Sequence, residues 1–173
     1  MIFLYSNIIK NILNKKFQKY DIATYNYYFD IYIKKISSII KEFADTINEK
    51  FIDKLLESKN IEIVFYQNNS EFNIKNCIGF IIYTKTKDKI YLLLFCIQKE
   101  YRKFGYGKLF LEEFINHIQN FKKNLITHSI DSSIDFYKSI GFTQIFDKIY
   151  NYKKIFQFEK YNKNAKIFEL KLI

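Results

Sequence analysis

The chain has 173 residues, enough for one domain with a sizeable core, and carries 28 Lys and Arg against 18 Asp and Glu, for a formal net charge of +10. That balance suits anionic partners, but the lysines are spread along the chain, which reads as a solvated basic surface ahead of a nucleic-acid site. Two cysteines without metal-type spacing and no secretion signal point to reduced thiols in a cytoplasmic protein with no metal site, and no apolar run is long enough for a membrane span.

In chain order, residues 2–5 read as a short strand, and residues 7–17 as a helix with Ile8, Ile9, Ile12, Leu13 and Phe17 on one face. Residues 24–33 alternate at period two, with Tyr25, Tyr27, Phe29, Ile31 and Ile33 opposite Asn26 and Asp30, and predict a strand. A helical stripe of Ile36, Ile40, Phe43, Ile47 and Phe51 covers about residues 36–57 and ends at Asn60. Residues 61–66 form a further strand, and 67–76 a polar turn region. Residues 77–84 and 89–97 form an antiparallel pair joined by the loop 85–88. A helix over 105–119, a short strand at 125–128 and a second helix follow. Asp131 or Ser132 can cap that helix, with Asp135 in its first turn, and Gly141 stops it. The remainder supplies closing strands, notably 155–161 and 166–172 around the turn 162–165. No repeat or linker interrupts the chain, so 1–173 reads as a single domain: a helical N-terminal segment over residues 1–60, a core over 61–146 and closing strands over 147–173.

The most informative stretch is 90–119. An unbroken apolar run from 90 to 97 leads through a polar turn into a helix whose Phe110, Leu111, Phe114, Ile115 and Ile118 share a face. The turn holds two of the chain's four glycines, Gly105 and Gly107. Glycine lets backbone amides approach a ligand, and amides at a helix N-terminus attract phosphate. Arg102, Lys103 and Lys108 add positive charge, so the physical reading is a pyrophosphate site. The P-loop does not fit, because Leu109 follows Lys108, nor does the dinucleotide fingerprint, which would need glycine at Phe110.

The pattern Arg102-x-x-Gly105-x-Gly107 between strand and helix resembles the signature R/Q-x-x-G-x-G/A of the GNAT superfamily of acetyl-CoA-dependent N-acetyltransferases. Residues 132–142 resemble the family's later helix, with Tyr137, Gly141 and Phe142 in register and Ser133 in place of an alanine. The resemblance covers about residues 77–146. It departs at Lys99, where the family often has proline, and at Ile130, where it often has asparagine.

The resemblance implies an α/β (α+β) fold: a mixed, mostly antiparallel central sheet of six to seven strands flanked by about four helices. It implies that the strand ending at 97 splays from a neighbour that follows helix 132–140, and that the pantetheine arm of acetyl-CoA enters the gap to pair with backbone of Phe95 and Ile97. Arg102, Lys103, Gly105, Tyr106, Gly107 and Lys108 would hold the pyrophosphate, with glycine keeping bulk away from phosphate. Tyr137 would be the general acid for direct transfer to a primary amine in a ternary complex.

Many relatives carry a carboxylate on the strand equivalent to 90–97, and this chain has none there. Glu62, Asp88 and His128 are the candidate bases, with His128 favoured among them because it follows a strand that borders the gap, and a water chain is an equal alternative. His117 reads as structural, and Cys96, alternating away from Phe95 and Ile97, as a core thiol. The alternative function is a non-catalytic acyl-CoA-binding or basic nucleic-acid-binding module. The amine, on a protein, a polyamine or a small metabolite, stays open.

Overall fold

The structure, a computed structural model, describes residues 2–4, 37–38, 40–41, 50, 52, 55, 61–67, 76–146 and 165–172. Among these residues seven strands, β1 (Ile2–Leu4), β2 (Ile61–Tyr66), β3 (Gly79–Lys85), β4 (Lys89–Ile97), β5 (Asn124–Ser129), β6 (Thr143–Ile145) and β7 (Lys166–Leu170), form one sheet in the order β1-β2-β3-β4-β5-β7-β6. Of these, β4 and β5 run parallel; the other neighbours are antiparallel. A parallel neighbour needs a crossover, and the helix α1 (Tyr106–Ile118) supplies it. A short helix α2 (Ile134–Ser139) follows β5.

The expected mixed, mostly antiparallel sheet is therefore present. α1 lays Phe110, Leu111, Phe114 and Ile118 on one face of it, against Val64, Tyr66, Ile81, Tyr83, Ile90 and Leu92. Burying each such side chain stabilises the fold by about 1.5–3 kcal/mol. On the other face, positions 37, 38, 40, 41, 50, 52 and 55 are helical, as the stripe over 36–57 predicts. Ile40, Ile52 and Leu55 cluster with Ile63, Phe65, Phe80, Ile82 and Leu94. The predicted helix 7–17 and the predicted strands 24–33 and 155–161 lie outside the described residues.

Two local expectations need correction. The hairpin strand begins at Gly79 instead of 77; a Cβ at Gly79 would stand 2.5 Å from the Cys96 carbonyl oxygen, so the close approach of β4 requires glycine here. Neither Asp131 nor Ser132 caps α2. Residues Asp131–Ser133 form a 3₁₀ turn, and Ser133 precedes the helix without a side-chain cap. The Asp131 carboxylate instead reaches Lys166 Nζ on β7, 3.1 Å away.

Candidate active site

A gap opens in the sheet between its two parallel strands. β4 and β5 pair from Lys89↔Asn124 to Leu92↔Thr127 and no further, while β5 stays paired to β7 out to Ser129↔Lys166. The cause is in β4. Ile82 opposes Leu94 and Tyr83 opposes Leu92, so Leu93 is an extra residue, a bulge that bends the strand. The neighbour across the gap is thus β5, which precedes α2. The strand that follows α2 is β6, at the far edge of the sheet, which corrects the expected neighbour.

The bulge also sets which side chains face the helices. Ile90 and Leu92 pack on the α1 side, Leu93 and Leu94 both turn to the opposite side, and Phe95 and Ile97 return to the α1 side. Cys96 falls among the cluster on the opposite side, as its alternation predicts. An antiparallel ladder bonds alternate residues. Gln98 N–H donates to Ile78 O at 2.8 Å. Pairing in this register, Phe80↔Cys96 and Ile82↔Leu94 also bond toward β3, so Phe95 and Ile97 turn their N–H and C=O groups into the gap. Arg102 Nε donates to Ile97 O at 2.8 Å.

At the mouth of the gap the chain turns twice through left-handed backbone, at Lys103 (φ 69°) and Gly105 (φ 85°). Gly105 then starts α1 with no side-chain cap and no acidic residue in the first turn. The first-turn amides of Tyr106, Gly107 and Lys108 have no acceptor within the helix by geometry, and the helix dipole favours an anion there. A Cβ at Gly105 would meet nothing within 4 Å. At Gly107 it would meet the Phe136 ring at 3.5 Å and Ile97 at 3.6 Å, ordinary contacts with the gap wall, so the need for glycine there is not a matter of the protein's own packing. Lys103 and Lys108 are exposed, and Lys108 Nζ lies 3.9 Å from Glu112. Tyr106 is half-buried, its ring 5.7 Å from that of Tyr101.

Tyr137 lies on α2, 6% exposed. The end of α2 fixes it. Gly141 (φ 99°) donates to Lys138 O at 3.0 Å and Phe142 N–H to Tyr137 O at 3.1 Å, a Schellman closure. The Phe142 ring packs 5.3 Å from the Tyr137 ring. Gly141 thus stops the helix as expected. Burial pushes the phenol up to about 12; the nearby Thr127 hydroxyl opposes this and the nearby Cys96 adds to it. The phenol stays protonated at neutral pH.

The candidate bases are dispersed. Glu62 accepts from Tyr83 Oη at 2.6 Å and pairs with Lys85. Tyr83 packs on Phe114, toward the far end of α1 from the glycine turn. Asp88 is exposed in the β3–β4 turn. His128 stands on β5 one residue beyond the last pairing with β4, opposite Ile167 and therefore on the face away from Tyr137. Burial lowers its pKa to about 4, so the imidazole is neutral at pH 7. His117 is exposed on α1.

Three residues at the gap carry no sequence signal that singles them out: Leu93 at the bulge, Phe136 between Gly107 and Phe95, and Thr127 at the vertex. Among the described residues, no group of His, Cys, Asp and Glu could hold a metal, and no helix is long and apolar enough to cross a membrane.

Comparison with known proteins agrees with this architecture. A family model described as an acetyltransferase (GNAT) domain matches residues 31–162. Among solved structures, Tetrahymena GCN5 superposes with a TM-score of 0.63 at 18% identity, over 82% of this chain and 86% of that one. The ribosomal-protein-S18-alanine N-acetyltransferase of Escherichia coli does so with 0.57 at 18% identity, over 81% and 87%. A GNAT family acetyltransferase from Elizabethkingia anophelis, with acetyl-CoA bound, gives 0.55 at 18% identity, over 72% and 84%. A search of curated proteins by sequence returns no match. With the family model spanning most of its length and the sheet opening between β4 and β5, this chain belongs to the GNAT family of acetyltransferases.

Proposed function

We propose that the protein transfers the acetyl group of acetyl-CoA to a primary amine by direct attack in a ternary complex. The observation that carries this reading is the gap between β4 and β5, with gap-facing backbone at Phe95 and Ile97 and a glycine turn at its mouth. The residues present fit acetyl-CoA. First-turn amides of α1 and the cations Arg102, Lys103 and Lys108 suit a diphosphate, the open space at Gly105 leaves room for one, and the strand-like edge of β4 suits the amide-bearing arm. Acetyl-CoA supplies an activated thioester. The relative from Elizabethkingia anophelis binds the same molecule, which supports the choice.

In this reading Tyr137 holds a proton at its phenol oxygen for the departing thiolate. Its high pKa keeps that proton in place until the thiolate forms beside it. Neutral His128, on the other face of the gap, accepts a proton from the attacking amine and hands it to solvent. With acid and acceptor on opposite faces, cofactor and amine approach from opposite sides. The partly buried apolar wall of Phe95, Ile97 and Phe136 limits water around the thioester.

A non-catalytic acyl-CoA-binding module is the second reading, favoured by a β4 without a carboxylate. One experiment separates them: release of CoA thiol from acetyl-CoA, with spermidine, a lysine-bearing peptide and a peptide with an unblocked N-terminus as acceptors, for wild type and Tyr137→Phe. The transferase reading expects turnover with at least one amine and a loss of about 10²–10⁴ in the variant, with acetyl-CoA affinity little changed. Binding of acetyl-CoA without turnover on any amine supports the module. A Tyr137→Phe rate within about threefold of wild type removes Tyr137 from the chemistry, since that lies well below the general-acid range.

A further inference from the structure

We propose that Phe104 carries the adenine base of acetyl-CoA, its ring stacking on the base beside the diphosphate turn. The inference rests on the acetyl-CoA reading of the gap. It adds a contact that the signature does not supply, since Arg102-x-x-Gly105-x-Gly107 leaves position 104 open. Phe104 sits in that turn between two left-handed residues, Lys103 (φ 69°) and Gly105 (φ 85°), and is 74% exposed. The other aromatics of the turn are placed differently. Tyr101 and Tyr106 pack edge to face, 5.7 Å apart, and lie against the core on the α1 side. Phe104 belongs to none of the buried clusters, and among the described residues no ring lies against it. Leu109 donates its N–H to Gly105 O at 3.2 Å, which brings a second exposed apolar side chain to the same turn.

A single exposed phenyl ring is ordinary on a protein surface. This one stands at the mouth of a ligand site, and the order of parts in the ligand says what meets it. Acetyl-CoA runs from acyl arm to diphosphate to ribose and adenine. With the arm in the gap along β4 and the diphosphate on the first-turn amides of α1, the nucleoside leaves on the outer side of the turn. The inner side is taken by Phe95, Ile97 and Phe136, which pack against the core. On the outer side Phe104 is the exposed ring, and Lys103 and Lys108 are exposed cations. A flat apolar face for a base and positive charge for phosphate are the two things that a phosphorylated adenosine requires. Stacking also freezes only the two side-chain torsions of Phe104, a small entropic cost. A second copy of the chain is a poorer occupant. A stable interface buries about 800 Å² per partner, far more than Phe104 and Leu109 present, whereas one ring matches one base.

The test compares CoA with 4′-phosphopantetheine, which has the same arm but no adenosine. Both are titrated by calorimetry into wild type, Phe104→Ala, Phe104→Leu and Phe104→Trp. Phe104→Ala should weaken CoA about tenfold, the scale of one base–aromatic stack, and leave 4′-phosphopantetheine within about twofold. Phe104→Leu should lose nearly as much, because it keeps apolar volume but not the flat face. Phe104→Trp should bind CoA at least as well as wild type. A second readout follows the base itself. The adenine protons of bound CoA should move upfield in wild type, under the ring current of Phe104, and stay near their free positions in Phe104→Ala. Equal CoA affinity in wild type and Phe104→Ala, equal losses for the two ligands, or unshifted adenine protons overturn the proposal. Where 4′-phosphopantetheine binds too weakly to titrate, the adenine protons decide. A wild type that binds no CoA removes the acetyl-CoA reading and the stack together, whereas CoA binding indifferent to Phe104→Ala removes the stack alone. An exposed side chain can be replaced with little effect on the fold, and melting temperatures of the three variants check this.

Discussion

Arg102 reaches back from the turn after β4 and donates from Nε to the carbonyl of Ile97, 2.8 Å away, so the turn that leads into α1 is tied to the last residue of the strand bordering the gap. The tie positions the turn by geometry as well as by charge. Lysine keeps the charge but not the planar guanidinium that aims a donor sideways. Arg102→Lys and Arg102→Ala should therefore both weaken acetyl-CoA binding by about tenfold or more, the scale of a charged hydrogen bond. Titration calorimetry checks this. An Arg102→Lys variant that binds like wild type would reduce Arg102 to a diffuse charge.

Gly107 offers a cleaner separation of cofactor from fold. An added methyl would rest at 3.5 Å from Phe136 and 3.6 Å from Ile97, so Gly107→Ala should fold with a melting temperature near wild type and still respond to acetyl-CoA. At a hundred times the dissociation constant, that response is about 5–10 °C for a domain of this size. Gly107→Glu places bulk and negative charge at the helix N-terminus and should abolish the response. A scanning thermal assay with and without acetyl-CoA decides it; equal shifts in all three proteins would dismiss the diphosphate site.

The pH dependence of stability has a sign set by His128. Its pKa in the fold is about 4 and its ordinary value is 6.5, so between those values the unfolded chain binds the extra proton. The stability contributed is complete above about pH 6.5 and is lost as pH falls through 4, by about 3 kcal/mol in all. Urea midpoints measured from pH 7.5 to 4 should decline in wild type and decline less in His128→Asn. Parallel curves for the two proteins would show that the imidazole titrates normally.

The two thiols should behave differently. Cys77 is fully buried, and burial pushes its pKa up to about 12. Cys96 is half-buried beside the gap. In the native protein iodoacetamide should modify Cys96 well before Cys77, because the thiolate is the reactive form. Direct transfer further requires that acetyl-CoA alone leave no acetyl group on Cys96. Mass spectrometry of the intact protein and its peptides reads both outcomes, and a stable acetyl-Cys96 would replace direct transfer with a covalent route.

What the sequence alone determined was local. The spacing of Arg102, Gly105 and Gly107 between an apolar run and an amphipathic stripe marked a strand, a tight turn and a helix start, because φ, amide exposure and helical period are properties of neighbouring residues. Gly141 announced the end of α2 for the same reason, and alternation set Cys96 on the side opposite Phe95 and Ile97, without saying which side faces α1.

Only the tertiary structure decided where β4 bends, which strand faces it across the gap, and which polar groups meet there. The apolar run 90–97 has no alternation to break, so the bulge at Leu93 leaves no trace in it. Taken at period two from Ile90, that run would have put Leu94 and Cys96 on the α1 face in place of Phe95 and Ile97. Thr127 is one threonine in a short strand until β4 and α2 bring Leu92 and Tyr137 to it. The candidate bases were dispersed for a like reason. Whether Glu62 is committed to Tyr83 and Lys85, or His128 is buried and neutral, depends on strands that meet only after the chain has crossed over and returned.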